Sequence, residues 1–304
     1  MKFGKLENVD HSDFSLPALK VIYDYQKENG VVETCKLYGG TTGWSHASWK
    51  GTFYPPKIKA TEQLSFYAKQ CNSIELNTTH YRIPPVDMIQ KWVGSVPEDF
   101  KFCPKILKYI SHSRSLGVDT DRIERFCDHL RYFGRNLGPV FMQLPPYFDT
   151  TKLNILEKFL TAFPLDIRLS IELRHPSWFS NEQYLELIAS LLSEQNRGLV
   201  ITDVAGRRDV AHMWICASHL IVRFGGNSGH SSDAIRLNQW KNIILQLAEI
   251  KMKEIYFFSH QSSHTANQAM YNIMYFADVL NQKKSIETRG PSLIEKPQIR
   301  VDNE

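Results

Sequence analysis

The chain has 304 residues, 42% of them hydrophobic and 22% charged, with a formal net charge of +4 at pH 7. That composition describes a globular protein with a substantial core. The small positive charge permits an anionic ligand but does not by itself argue for nucleic acid.

The cysteines Cys35, Cys71, Cys103, Cys127 and Cys216 are widely spaced and contain no CxxC pair. This speaks against a disulfide framework or a structural zinc site, and for Cys71 and Cys103 as core thiols in a reducing compartment. No apolar stretch is long enough to span a bilayer, and MKFGKLENVDHSDF lacks the apolar region of a signal peptide. The expected location is the cytoplasm, without a membrane partner.

Residues 1–35 read as an extension. Leu16, Leu19, Ile22 and Tyr23 have helical spacing, predicting a helix over 15–29 stopped by Gly30. A first strand follows at 37–43, with Trp44, Trp49 and Tyr54 in its loop, and then a helix at 61–71. Further strands are predicted at 73–77, 100–105, 139–144, 169–174, 198–203, 219–224 and 254–260. Helices are predicted at 86–93, 119–136, 152–163, 181–195, 235–251 and 266–280, with a short irregular segment after 203.

Leu169, Ile171 and Leu173 alternate with Ser170, Glu172 and Arg174, the period of a strand with one apolar face, and His175-Pro176 stops it. Residues 282–304 are polar and aperiodic, and read as a disordered tail. Eight strands alternating with helices over residues 36–281 predict an α/β fold, a (β/α)8 TIM-like barrel with an N-terminal helical extension and a polar C-terminal tail. An open doubly wound sheet is the competitor, but no GxGxxG follows the first strand. No linker divides the run, so one domain is expected.

Several stretches carry a family resemblance. Thr41-Thr42-Gly43-Trp44-Ser45, Trp49-Lys50-Gly51-Thr52-Phe53-Tyr54-Pro55, and Glu75-Leu76-Asn77-Thr78-Thr79-His80-Tyr81-Arg82 are three of them. Gln143-Leu144-Pro145-Pro146 and Glu172-Leu173-Arg174-His175-Pro176-Ser177-Trp178 are two more. Together they resemble the YecE-like proteins (domain of unknown function 72). The resemblance implies a TIM-like barrel distantly similar to the endonuclease-IV and xylose-isomerase barrels, and implies no activity. The chain departs from the common pattern at Arg223-Phe224-Gly225-Gly226, where many members have Arg, an apolar residue, His and Gly. It departs again at Phe258-Ser259-His260-Gln261, where asparagines are more usual.

Strand alternation sends Glu75, Asn77, Lys105, Gln143, Glu172, Arg174, Arg223 and His260 inward, and Asp203 as well if its strand keeps phase. Barrel interiors are normally apolar, and a buried charge needs a partner. A purely structural reading pairs Glu75, Glu172 and Asp203 with Lys105, Arg174 and Arg223. A functional reading, slightly favoured, makes the C-terminal rim of the strands an anion-binding pocket. Arg174, Arg223 and Lys105 would then hold the anion, and Glu172, Glu75 and His175 would move protons, with His80 as an alternate. Asn77, His80, Tyr81, Gln143, Asp203, Trp44 and His260 complete the candidate ligand contacts.

Gly225-Gly226-Asn227-Ser228-Gly229 is either a phosphate cradle of backbone N–H groups or an ordinary turn. Trp44 and Tyr81 lean toward ligand contact, and Trp178 toward packing. No organic cofactor motif is present. Glu75, Glu172, Asp203 and His260 are ligand types for a divalent metal, but the basic residues at the same strand ends disfavour one. The expected function is an uncharacterised enzyme, a hydrolase or isomerase acting by acid–base chemistry on a small phosphate-bearing or sugar-like ligand. The alternative is a non-catalytic binding protein for nucleic acid or a small anion. The sequence leaves the oligomeric state open.

Overall fold

A computed structural model describes residues 4, 6–25, 34–261 and 265–294. Strands and helices alternate from β2 (Cys35–Gly40) onward: α1 (Gln63–Gln70), β3 (Ser73–Leu76), α2 (Val86–Val93), β4 (Lys101–Pro104), α3 (Lys108–Ser111) and α4 (Arg122–Arg131). Then follow β5 (Val140–Gln143), α5 (Leu153–Ala162), β6 (Leu169–Glu172), α6 (Glu182–Ser193), β7 (Gly198–Asp203) and β8 (Trp214–Ile215). The series ends with β9 (His219–Gly225), α7 (Ser231–Glu249), β10 (Glu254–His260), α8 (Ala266–Leu280) and β11 (Ile286–Thr288). Local chemistry sets several boundaries. Pro84 and Pro85 precede α2, where a missing N–H does no harm. The Asn181 side chain accepts the Gln183 N–H at the start of α6.

The architecture is mixed α/β around a central parallel sheet. Seven strands pair in the order β11-β2-β10-β9-β7-β6-β5, and β3-β4 form a separate parallel pair. Among the described residues these ladders do not make one closed sheet, so the predicted closed barrel is not found as such. Single contacts join the two sets. The Glu75 N–H donates to the Thr41 carbonyl at 3.0 Å, and the Ile106 N–H donates to the Phe141 carbonyl at 2.9 Å. Gly40 makes the first approach possible, because a Cβ there would meet the Ser73 carbonyl oxygen at 2.3 Å.

Two apolar clusters lie on opposite faces of the strands. The larger gathers outward strand residues such as Leu37, Ile74, Ile171, Leu199, Ile201 and Val222 with the buried faces of the helices. The smaller contains Tyr38, Cys103, Phe141, Val200, Ile221, Tyr256 and Phe258, drawn from six strands of both sets. In it Tyr38 and Tyr256 stack with ring centroids 4.6 Å apart. Cys71 and Cys103 are both fully buried, within the larger and the smaller cluster respectively. The register places the polar residues of the site one step further along the same inner face: Thr202 lies beside Arg223, and Gln143 beside Glu172.

The two ends of the chain depart from the sequence reading. No helix forms over residues 15–24. The segment is extended, and β1 (Lys20–Val21) pairs with Trp214 and Ile215. Leu16, Leu19 and Ile22 still pack against the core, so their burial is achieved by strand addition instead of a helical face. Residues 26–30 of that expected helix and its stop lie outside the described residues. At the other end, Ile286–Thr288 pairs with Cys35–Leu37, which replaces the expected disorder there; 295–304 lie outside the described residues. Among the described residues no helix is long and apolar enough to cross a membrane.

Candidate functional site

The inner face of β3, β4, β5, β6, β9 and β10 ends in a connected layer of charge. Arg223, on β9, donates from Nη2 and Nε to the two oxygens of Glu75, at 2.8 and 2.9 Å. Its Nη1 reaches Glu172 Oε2 at 2.6 Å and Gln143 Oε1 at 3.2 Å. Four of the five guanidinium N–H donors are thus engaged. Arg174 Nε donates to Glu172 Oε1 at 2.7 Å. Lys105 Nζ donates to the same Gln143 oxygen at 3.2 Å. Asn77 Nδ2 donates to Glu75 Oε1 at 2.8 Å, and His260 Nε2 lies 2.9 Å from Glu75 Oε2. Glu75 and Glu172 are fully buried, and Arg223 is 2% exposed.

Electrostatics follow from this arrangement. Burial favours the neutral acid, but the Arg223 guanidinium, with His260 beside it, overrules that and holds Glu75 well below the usual carboxylate range. Burial acts on Glu172 in the same sense, and there Arg174, Arg223 and Lys105 bring the carboxyl down to about 2. Lys105 moves the other way: burial, helped by the neighbouring Arg223 cation, lowers its ammonium to about 8. Burial also lowers His260, against the pull of Glu75. The carboxylates therefore stay ionised at neutral pH, Lys105 sits closer to its titration, and His260 is shifted toward its neutral ring.

A cavity of about 500 Å³ opens beside this layer at the C-terminal ends of β7, β9 and β10. Arg223, His260, Thr202 and Gln261 contribute to its wall, and Gly4 and residues 6–10 roof it. The roof is tied down at several points: the Gly206 N–H donates to the Gly4 carbonyl at 2.8 Å, and His230 Nε2 lies 3.1 Å from Asp10 Oδ1. Arg208 donates to the Ser15 carbonyl at 2.9 Å. Thr202 is 6% exposed, and its buried hydroxyl has no hydrogen-bond partner among the described residues.

The remaining predicted residues fall elsewhere. Asp203 faces outward from β7, where Trp240 Nε1 (2.9 Å), Arg236 (2.9 Å) and Arg208 hold it. The run Leu199-Val200-Ile201 is apolar on both faces, so the sequence carried no phase, and Thr202 points inward in its place. His175 Nδ1 caps the turn of Pro176–Trp178, accepting the Ser177 N–H at 3.2 Å, and does not take part in the hydrogen bonds of the two carboxylates. Trp44 packs edge-on against Trp92, with centroids 5.7 Å apart, as a core contact. Trp49, Tyr54 and Trp178 are buried.

His80 and Tyr81 sit on a different part of the rim. His80 Nδ1 is 2.7 Å from the Ile106 carbonyl and its ring lies against His112, while Tyr81 is exposed.

The glycine-rich loop is not a free cradle. The Asn227 and Gly229 N–H groups donate to the Asp233 carboxylate at 2.8 and 3.1 Å, Ser228 to Gln261 Oε1, and Gly226 to the His260 carbonyl. Gly226 lets the Gln261 side chain approach closely, since a Cβ there would meet the Gln261 amide nitrogen at 1.9 Å and push that side chain aside. The metal reading loses its geometry, because Asp203 is on the far face and both glutamates are clamped by arginine; no metal-like cluster of His, Cys, Asp and Glu forms among the described residues. Sequence reasoning missed Thr202 and the roof. The pairing of Thr202 with Arg223 would have found the first, had the phase of β7 been readable.

Residues 38–295 match the family described as protein of unknown function DUF72. The chain is 29% identical over 167 residues to UPF0759 protein YecE of Escherichia coli K12, covering 55% of this chain and 59% of that protein. It is 29% identical over 165 residues to UPF0759 protein YunF of Bacillus subtilis strain 168, covering 52% and 57%. The match thus spans less than two thirds of the length of these curated relatives. Among solved structures, a DUF72 family protein of Enterococcus faecalis V583 superposes with a TM-score of 0.65 at 20% identity, over 85% of this chain and all 100% of that one. A DUF72 family protein of Thermotoga maritima MSB8 gives 0.63 at 22%, over 81% and 99%. At these identities the likeness is one of fold.

Proposed function

The chain belongs to the DUF72 family, and from that premise we propose that it is a (β/α)8 barrel that binds a small phosphate-bearing or sugar-like anion at the C-terminal ends of its strands and acts on it by acid–base chemistry. The barrel reading is supported by the single hydrogen bonds that join β3 to β2 and β5 to β4, and by an inner apolar cluster drawn from six strands. Residues 36–281, with β11 added to the edge of the central sheet, form its one domain. Buried, unpaired cysteines suit a reducing compartment, in keeping with the cytoplasm.

The observation that carries the ligand reading is an imbalance of charge. With Asp203 turned away, two carboxylates, Glu75 and Glu172, face three cations, Arg223, Arg174 and Lys105. An uncompensated buried cation is costly, and a bound anion relieves it. Among the described residues the Lys105 ammonium meets no carboxylate within ion-pair distance; its partner is the Gln143 oxygen.

The proton-moving role passes from Glu172 to His260. Glu172 and Glu75 remain ionised as counter-ions and hold Arg223 rigid. Glu75 accepts from His260 Nε2, which leaves the other ring nitrogen as the base at the cavity wall. The Thr202 hydroxyl is a further ligand contact.

Calorimetry and thermal unfolding with inorganic phosphate, a sugar phosphate and the parent sugar test the reading. The anions are expected to raise Tm by several degrees near saturation, and Lys105→Met is expected to abolish the response. No shift with any of the three overturns it. Turnover lost in His260→Asn with binding retained supports the enzyme; binding without turnover across phosphoesters and sugars supports the non-catalytic alternative.

A further inference from the structure

The loops that follow β3, β4 and β5 share one property. Residues 77–85, 106–118 and 144–148 contain Arg82, Lys108 and Arg114 and no Asp or Glu; the acids Asp119, Asp121 and Asp149 follow only where the second and third loops run into their helices. They also hold three tyrosines that the fold leaves in solvent: Tyr81 at 73%, Tyr109 at 65% and Tyr147 at 58% exposure. Tyrosine is amphipathic enough to be half-buried wherever packing allows, so three rings held outward beside basic residues form an unusual surface.

Tyr81 and Tyr147 are spatially continuous through the histidines between them. Tyr81 packs edge-on against His80 at 5.3 Å, and His80 against His112 at 5.5 Å. The Tyr147 hydroxyl donates to the His112 carbonyl at 3.4 Å, and Lys152 Nζ lies 5.3 Å from the Tyr147 ring centroid. Lys105 and Lys108 both act on His80 and His112, depressing their protonation alongside burial. Arg82, Lys108 and Arg114 are exposed, and among the described residues none of them meets a carboxylate within ion-pair distance.

The geometry points to this rim as a binding surface for single-stranded nucleic acid, with bases stacked on Tyr81 and Tyr147 and the phosphate backbone following Arg82, Lys108 and Arg114. Flat π-faces alternating with unpaired cations fit a polyanion that also carries stackable rings, and they fit a duplex poorly because its bases are already stacked. The rim lies apart from the roofed cavity beside β7, β9 and β10. The inference therefore stands whether or not that cavity holds a small anion.

Fluorescence anisotropy of a short labelled oligothymidylate, titrated with the full chain at several salt concentrations, tests it. Binding is expected to weaken with salt, with a log–log slope of about −2 for three phosphate contacts. Lys108→Ala should make that slope shallower by about 0.7. Tyr81→Ala and Tyr147→Ala should each weaken binding about five-fold or more. Both side chains are exposed, so an unchanged Tm shows that the variants are folded. Absence of binding at low salt, equal affinity for a duplex, or tyrosine variants that bind as tightly as the parent would each overturn the assignment. A Lys105→Met variant that keeps oligonucleotide binding while losing the phosphate response separates the rim from the anion site.

Discussion

Two buried charge clusters flank the last strands, and only one of them has the makings of a site. Outside β7, Asp203 and Asp233 face Arg236 and Arg208, two acids against two bases. Most of their remaining donors and acceptors are occupied too, the Arg208 Nε–H being the exception among the described residues: Arg236 caps the Asp203 and Gly225 carbonyls at 2.7 and 3.0 Å, Arg208 reaches Ser15, and Asp233 gathers loop amides. Inside, two glutamates face three cations, the neighbouring Thr202 hydroxyl lacks a partner among the described residues, and a cavity opens beside Arg223. Buried charge alone does not mark function. A cluster that closes on itself is architecture; one left open in sign and in hydrogen bonding awaits something.

The sharpest way to break this contrast is to delete one member of each cluster. Arg236→Met removes the buried guanidinium shared by Asp203 and Asp233, and should lower stability by about 3–5 kcal/mol in urea unfolding. A loss below about 1 kcal/mol would mean that the outer cluster is not the closed unit described.

Acid should dissolve the inner cluster over a defined window. Glu172 titrates near 4.5 when unperturbed and near 2 in the fold. A carboxylate with a depressed folded pKa contributes its full stability above about pH 4.5 and loses it as the pH falls toward 2, roughly 3 kcal/mol at most. Urea midpoints measured across that range should fall less steeply in Glu172→Gln than in the parent. Equal slopes would remove Glu172 from the charge network.

The smallest effect is expected at Lys105. Because its cation is the unbalanced one, Lys105→Met should change stability by less than about 1 kcal/mol in the absence of ligand, in either direction. A loss comparable to that of Arg236→Met would show that the inner layer was balanced after all.

Much of this was legible from residue order. Alternation in Ile74-Glu75-Leu76 and in Leu169 to Arg174 fixed which side chains turn inward, and the pairs Glu75–Arg223 and Glu172–Arg174 follow from it. The apolar run of β7 carried no such phase, so Asp203 was assigned to the wrong face. Leu16, Leu19 and Ile22 have helical spacing, but Pro17 lies among them and a partner strand at Trp214 and Ile215 was available. Spacing reports which residues are buried, not which backbone shape buries them. The loop amides at 226–229 looked available because Asp233, which occupies two of them, lies inside the next helix and gives no sign in the loop itself.

The roof over the cavity has an implication of its own. Gly4 and residues 6–10 belong to no ladder of the central sheet, so replacing them disturbs no strand register. The fit of the proposed anion would be retuned from this short stretch while the walls beneath stay as they are. An engineer seeking new selectivity would begin with Glu7 and Asn8, before altering any strand.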